Sequence, residues 1–68
     1  MKFVVTLDAD EDGFIVAECP QLPGCLSQGR TREEALENIR EAIRASLATR
    51  RDRGLPLCVD TAEVEVTV

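Results

Sequence analysis

The chain has 68 residues, with 13 acidic and 8 basic side chains, no histidine and 3 cysteines, for a net charge of −5. A domain of this size buries only about 60 % of its unfolded surface, so its own core is thin. The acidic balance argues against a nonspecific grip on a phosphate backbone, and an odd cysteine count without a Cys-x-x-Cys pair makes a disulfide frame or a metal staple a poor choice.

Nothing in the chain resembles a signal peptide or a membrane span, so a reducing cytoplasm with buried thiols and no membrane contact is the expected setting. Self-association is then the expected way to complete the core, as a homodimer or a higher homo-oligomer. Residues 1–68 read as one domain, with no composition shift, repeat or linker and no separate DNA-binding domain.

Lys2 to Leu7 alternates into Phe3-Val5-Leu7 and Val4-Thr6, and its β-branched content predicts a strand. Asp8 to Gly13 is an acidic turn ending in Asp12-Gly13, a hairpin signal between two apolar runs. Phe14 to Cys19 is the second strand. Glu18 on the Phe14-Val16 face implies that Ile15, Ala17 and Cys19 face the core. Pro20 ends this strand, and Leu22-Pro23-Gly24-Cys25 fits a type II turn. Cys25 to Gln28 forms a short third strand, which Gly29 breaks.

Thr31-Arg32-Glu33-Glu34 reads as a capping box that starts a helix over about Arg32 to Arg51. Leu36, Ile39, Ile43 and Leu47, helped by Ala35, Ala42 and Ser46, form its apolar stripe. Glu33, Glu37, Arg40, Glu41 and Arg44 lie opposite. Gly54 and Pro56 stop the helix. Glu63 to Val68 alternates Val64, Val66 and Val68 with Glu63, Glu65 and Thr67, the pattern of a half-exposed strand.

The expected class is α+β in the order β-β-β-α-β: an antiparallel three-stranded sheet, one helix on one face, and a last strand parallel to the first. A helical crossover back to a sheet is right-handed almost without exception. One helix covers one sheet face, which leaves Val4, Phe14 and Val16 on the other for a partner chain.

The continuous run Pro20-x-Leu22-Pro23-Gly24-Cys25-x-Ser27-x-Gly29-x-Thr31-x-Glu33-Glu34-Ala35-Leu36-x-Asn38-Ile39-x-Glu41-Ala42-Ile43 closely resembles the signature of the HicB family of antitoxins. The resemblance implies a partial ribonuclease-H-like fold, which agrees with the sheet drawn above. It also implies a partner, a small basic HicA-type toxin that cleaves messenger RNA and uses a histidine. The antitoxin would act by occluding the toxin's active surface. Many members also carry a C-terminal ribbon-helix-helix or helix-turn-helix. This chain departs from that pattern after its last strand, which puts direct operator binding in doubt.

Candidate chemistry elsewhere is sparse. Asp8 to Gly13 mimics the first half of an EF-hand loop, but the twelfth position falls on Cys19 and the flanks are strands, so a hairpin turn is the reading. A two-metal nuclease needs carboxylates at the sheet centre. The central first-strand residues are Val4, Val5 and Thr6, and the helix stripe bears no acid. Cys19 and Cys25 lack a histidine activator and read as packing thiols. No cofactor and no catalytic or metal residue is assigned.

Two features are left as candidates for binding. Asp8, Asp10 and Asp12 in the turn and Glu33, Glu37 and Glu41 on the helix could present negative potential to a basic toxin, or be a solvated face. Pro20, Leu22 and Pro23 either shape a turn or form a small apolar contact patch. The expected function is a toxin-neutralising binding module rather than an enzyme, without direct nucleic-acid binding. An oligomeric HicB-like protein that binds another protein or a small ligand is the alternative, and a metal-dependent nuclease is the third.

Overall fold

A computed structural model describes residues 2–57 and 62–67 of the chain. Among them the elements run β1 (Thr6–Ala9), β2 (Ile15–Glu18), β3 (Leu26–Gly29) and α1 (Arg32–Asp52). The strands form one antiparallel sheet in the order β1-β2-β3, with Ala17 opposite Leu7 on one side and Ser27 on the other. The α+β arrangement of three antiparallel strands and one helix is therefore as expected.

The first hairpin is tighter than its sequence suggests. Asp8 and Ala9, expected in the turn, pair with Val16 and Ile15, while Lys2 to Val5 lie outside the ladder. The cause is Asp10. Its Oδ1 accepts the amides of Asp12 and Phe14, both at 2.9 Å, and its own amide donates to the Phe14 carbonyl at 2.8 Å. Gly13 closes the reversal at φ 87°. One carboxylate thus satisfies the tip, so the strands run up to its edge. Ahead of β1, the Val4 amide donates to Gln21 Oε1 at 3.0 Å.

The type II turn forms as expected, with Gly24 at φ 81° and the Cys25 amide donating to the Leu22 carbonyl at 3.0 Å. Gly29 does not break β3 but ends it, for a different reason. A Cβ there would stand 2.5 Å from the Ala35 amide nitrogen. Its bareness lets the first turn of α1 sit directly on the strand.

Only the Thr31 half of the capping box forms. Thr31 Oγ1 accepts the Glu34 amide at 3.1 Å, and the Glu34 carboxylate does not return to the Thr31 amide. Glu33 and Glu34 in the first turn and Arg50 and Arg51 in the last suit the helix dipole. The helix ends in a Schellman motif: Gly54 at φ 68° donates to the Arg51 carbonyl at 3.2 Å, and Leu55 donates to that of Arg50 at 2.8 Å.

The buried core consists of Ala17, Cys19, Leu22, Cys25, Ala35 and Ile39. The second-strand face chosen from Glu18 is the correct one. The helix packs mainly on β3 and β2 rather than on β1. Leu36, Ile43 and Leu47, expected in the core, are therefore only half-buried.

The expected last strand, Glu63 to Val68, is not formed by its described part. Residues 62–67 carry no strand, Val64 and Val66 are 82 % and 73 % exposed, and Val68 lies outside the described residues. The fourth strand parallel to the first, and with it the ribonuclease-H-like layout, is absent among the described residues. Alternation in sequence assigns a face to a strand, but its hydrogen bonds must come from a neighbour, which periodicity does not name.

Candidate interaction surfaces

Alternation along the strands creates two sheet faces, and each leaves apolar surface open. On the face away from α1, Thr6, Asp8, Val16, Glu18 and Leu26 line a shallow depression of about 530 Å³. Val4 and Leu26 are 70 % and 55 % exposed there, while Phe14 and Val16 are half-buried. The Arg30 guanidinium lies 5.7 Å from the Phe14 ring centroid and shields part of it. This is the uncovered face expected from the sequence, and Asp8 and Glu18 give it an anionic rim.

On the helix side, Phe3 and Val5 face Leu36, Ile39, Ile43 and Leu47 across a groove of about 580 Å³ that also touches Arg40 and Arg44. Sequence reasoning missed this surface by assigning the whole helix stripe to the core. The signal was present: a stripe of four large apolar residues is wider than two four-residue strands can cover.

The candidate acids divide into several environments. Asp8 stands on the outer sheet face, Asp12 is exposed at the hairpin tip, and Asp10 is committed to the turn amides. Glu33, Glu37 and Glu41 are exposed and share one helix face at four-residue spacing. Gly29 pairs with Ile15 and Ile15 with Ala9, so Glu33 begins at the hairpin-tip end of the sheet. Glu37 and Glu41 follow the helix away from it. Glu41 is ion-paired with Arg44. The acids therefore do not form one continuous patch.

The signature residues serve mostly as structure. Leu22 is fully buried, which removes it from the contact patch considered above; Pro20 and Pro23 remain exposed. Cys25 is buried, Ser27 is half-buried on the helix side, and Gly24, Gly29, Thr31 and Glu34 shape the turn and the helix start. Asn38 adds a tie that was not foreseen, its Nδ2 donating to the Gln28 carbonyl at 2.8 Å.

Cys19 and Cys25 are free, buried thiols at the base of the loop, where the Cys19 amide donates to the Cys25 carbonyl at 3.0 Å. Burial, with the nearby Cys19 adding to it, pushes the Cys25 thiol above its usual pKa, and Arg50 offsets this in part. A thiol held protonated is a poor nucleophile. Among the described residues no group of His, Cys, Asp or Glu is arranged to hold a metal ion, and no helix is long and apolar enough to cross a membrane.

The loop-to-helix signature lies within the part of the chain that known families match. Residues 3–67 match the family described as HicB-like antitoxin of bacterial toxin-antitoxin systems. A UPF0150 protein of Thermoplasma acidophilum is 47 % identical over 68 residues, covering 100 % of this chain and 97 % of that protein. A UPF0150 protein of Synechocystis is 39 % identical over 97 % of this chain and 78 % of its own length. Antitoxin HicB 1 of Photorhabdus laumondii is 44 % identical over 63 % of this chain, but only 28 % of that longer protein is covered. No solved structure matches. A match spanning 65 of the residues, on a fold whose signature builds its turn, its contact glycine and its helix cap, places this chain in the HicB-like antitoxin family.

Proposed function

We propose that this chain is the antitoxin of a cytoplasmic pair and silences a small, basic, HicA-type RNA-cleaving toxin by covering its active surface. The observation that carries the reading is the outer sheet face. Exposed Val4 and Leu26 beside Val16 offer apolar contact, and Asp8 and Glu18 at its edge suit a cationic partner. Opposite potentials speed encounter and fix orientation, while apolar burial sets the lifetime of a complex. Asp12, Glu33 and Glu37 add exposed anionic surface that steers the toxin without all touching it.

In this reading the protein is a binding module without catalysis of its own and makes no direct contact with nucleic acid. It works as one domain in a homodimer or higher homo-oligomer. Residues 63–68 supply a fourth strand parallel to β1 and so complete a partial ribonuclease-H-like sheet. Membership of the family and the position of β1 at the edge of the sheet among the described residues support this.

The test is growth rescue and pull-down with the product of the adjacent gene. A short basic neighbour that is toxic alone, tolerated with this chain and retained by it is the expected result. A neighbour that stays toxic and unbound, or no toxin gene nearby, overturns the reading in favour of a module for another partner.

A further inference from the structure

We propose that Cys19 and Cys25 are an oxidisable pair, which hydrogen peroxide closes to a reversible disulfide that staples the base of the signature loop. The inference goes beyond the antitoxin reading and does not depend on it.

The ladder brings the two thiols together. The register of β2 with β3 pairs Glu18 with Leu26, and the next step pairs Cys19 with Cys25. The Cys19 amide donates to the Cys25 carbonyl at 3.0 Å, so the ladder does extend to these two residues. Hydrogen-bonded antiparallel partners have Cα atoms about 5.5 Å apart, within the range of about 4.4–6.8 Å that a disulfide spans. Directly opposed residues also send their side chains to the same face of the sheet. Here that is the core face, where both thiols lie in one buried cluster with Ala17, Leu22, Ala35 and Ile39. Their nearness shows electrostatically too, since Cys19 helps to raise the pKa of the Cys25 thiol.

The surroundings suit a switch rather than a permanent bond. The loop between the two residues is closed by its own backbone: the Leu22 amide donates to the Cys19 carbonyl and the Cys25 amide to the Leu22 carbonyl, each at 3.0 Å. The fold is therefore complete with both thiols free. Disulfides that form in a reducing cytoplasm are mostly transient and redox-sensing. Cys25 is 6 % exposed and Cys19 0 %, so Cys25 is the sulfur that a molecule as small as hydrogen peroxide meets first. Arg50 is the cation that favours its thiolate against burial. Cys19 is the resolving thiol.

The Cys25 thiolate attacks one peroxide oxygen and the O–O bond breaks. The departing hydroxide takes up the thiol proton as water, which leaves Cys25 as a sulfenic acid. The Cys19 thiolate then attacks the Cys25 sulfur, the S–O bond breaks, and the second hydroxide leaves as water with the Cys19 proton. Two thiols lose two electrons and two protons, and one hydrogen peroxide becomes two waters. The new bond ties the end of β2 to the start of β3 and restrains the loop that carries exposed Pro20 and Pro23.

The experiment treats the reduced full chain with hydrogen peroxide, alkylates the remaining thiols and maps tryptic peptides by mass spectrometry. Cleavage after Lys2 and Arg30 leaves Cys19 and Cys25 in one peptide, while Cys58 falls in another. The expected peptide has lost two hydrogens, resists alkylation, and recovers both thiols with dithiothreitol. Cys58→Ser should close as the native chain does, and Cys19→Ser should leave Cys25 as a sulfenic acid that dimedone traps. In the oxidised chain, hydrogen exchange at the Leu22 and Cys25 amides should slow roughly tenfold or more. A peptide in which both thiols remain alkylated, bonds to Cys58 alone, or unchanged exchange at both amides overturns the proposal. If Cys19→Ser unfolds, the mass of the native peptide decides.

Discussion

Gly29 shows how a single residue sets the packing of helix on sheet. The space for its missing Cβ is taken by the backbone of Glu34 and Ala35, which cannot rotate aside as a side-chain tip could. We predict that Gly29→Ala destabilises the fold by about 1–3 kcal/mol, the usual range for overpacking, as measured by denaturant melts. Cys25 is a second point where environment overrides residue type. Its raised pKa means that the folded state holds the thiol proton more tightly than the unfolded chain does. The associated stability is fully present below the ordinary thiol pKa and is lost as pH rises through the raised value. Denaturation midpoints should therefore fall in alkaline solution, and Cys25→Ala should flatten that part of the profile.

At the scale of elements, α1 has two tasks that the sequence mixes on one cylinder. Ala35 and Ile39 are buried against the sheet, while Leu36, Ile43 and Leu47 border an open groove. Its acidic face is continuous only along the helix and separate from the hairpin acids. Reversing that face should therefore act on steering and not on the fold. With a basic toxin as partner, Glu33→Lys, Glu37→Lys and Glu41→Lys together should slow association on the order of tenfold at low salt. The effect should shrink at high salt, because exposed charges are screened. Stopped-flow binding at two ionic strengths measures both. An unchanged rate at low salt would remove these glutamates from the encounter.

For the whole molecule, the thin core leaves two apolar surfaces open, one on each side of the sheet. Its candidate carboxylates lie at the hairpin tip, on the outer face and along the exposed helix face, and among the described residues none are gathered around a metal position. We predict no RNA cleavage with magnesium or manganese. Cleavage that co-purifies with the chain and vanishes in Asp8→Asn would refute this.

Much of the fold was legible because its causes are local. The Leu22–Cys25 turn, the Thr31 cap, the helix over Arg32 to Asp52 and the buried face of β2 each follow from residues within a few positions of one another. The family was legible for the same reason, since its signature is the run that builds these features. What only the tertiary structure decided depends on which elements meet. The Asp10 carboxylate shortened the hairpin tip and moved the β1 ladder toward Ala9. The seat of α1 over β3 and β2 turned half of an apolar stripe into a groove. Asn38 tied the Gln28 carbonyl at the edge of β3 to the helix. The alternation of Val64 and Val66 is visible in sequence, but a strand is completed by its neighbour, and periodicity holds no record of whose edge that neighbour offers.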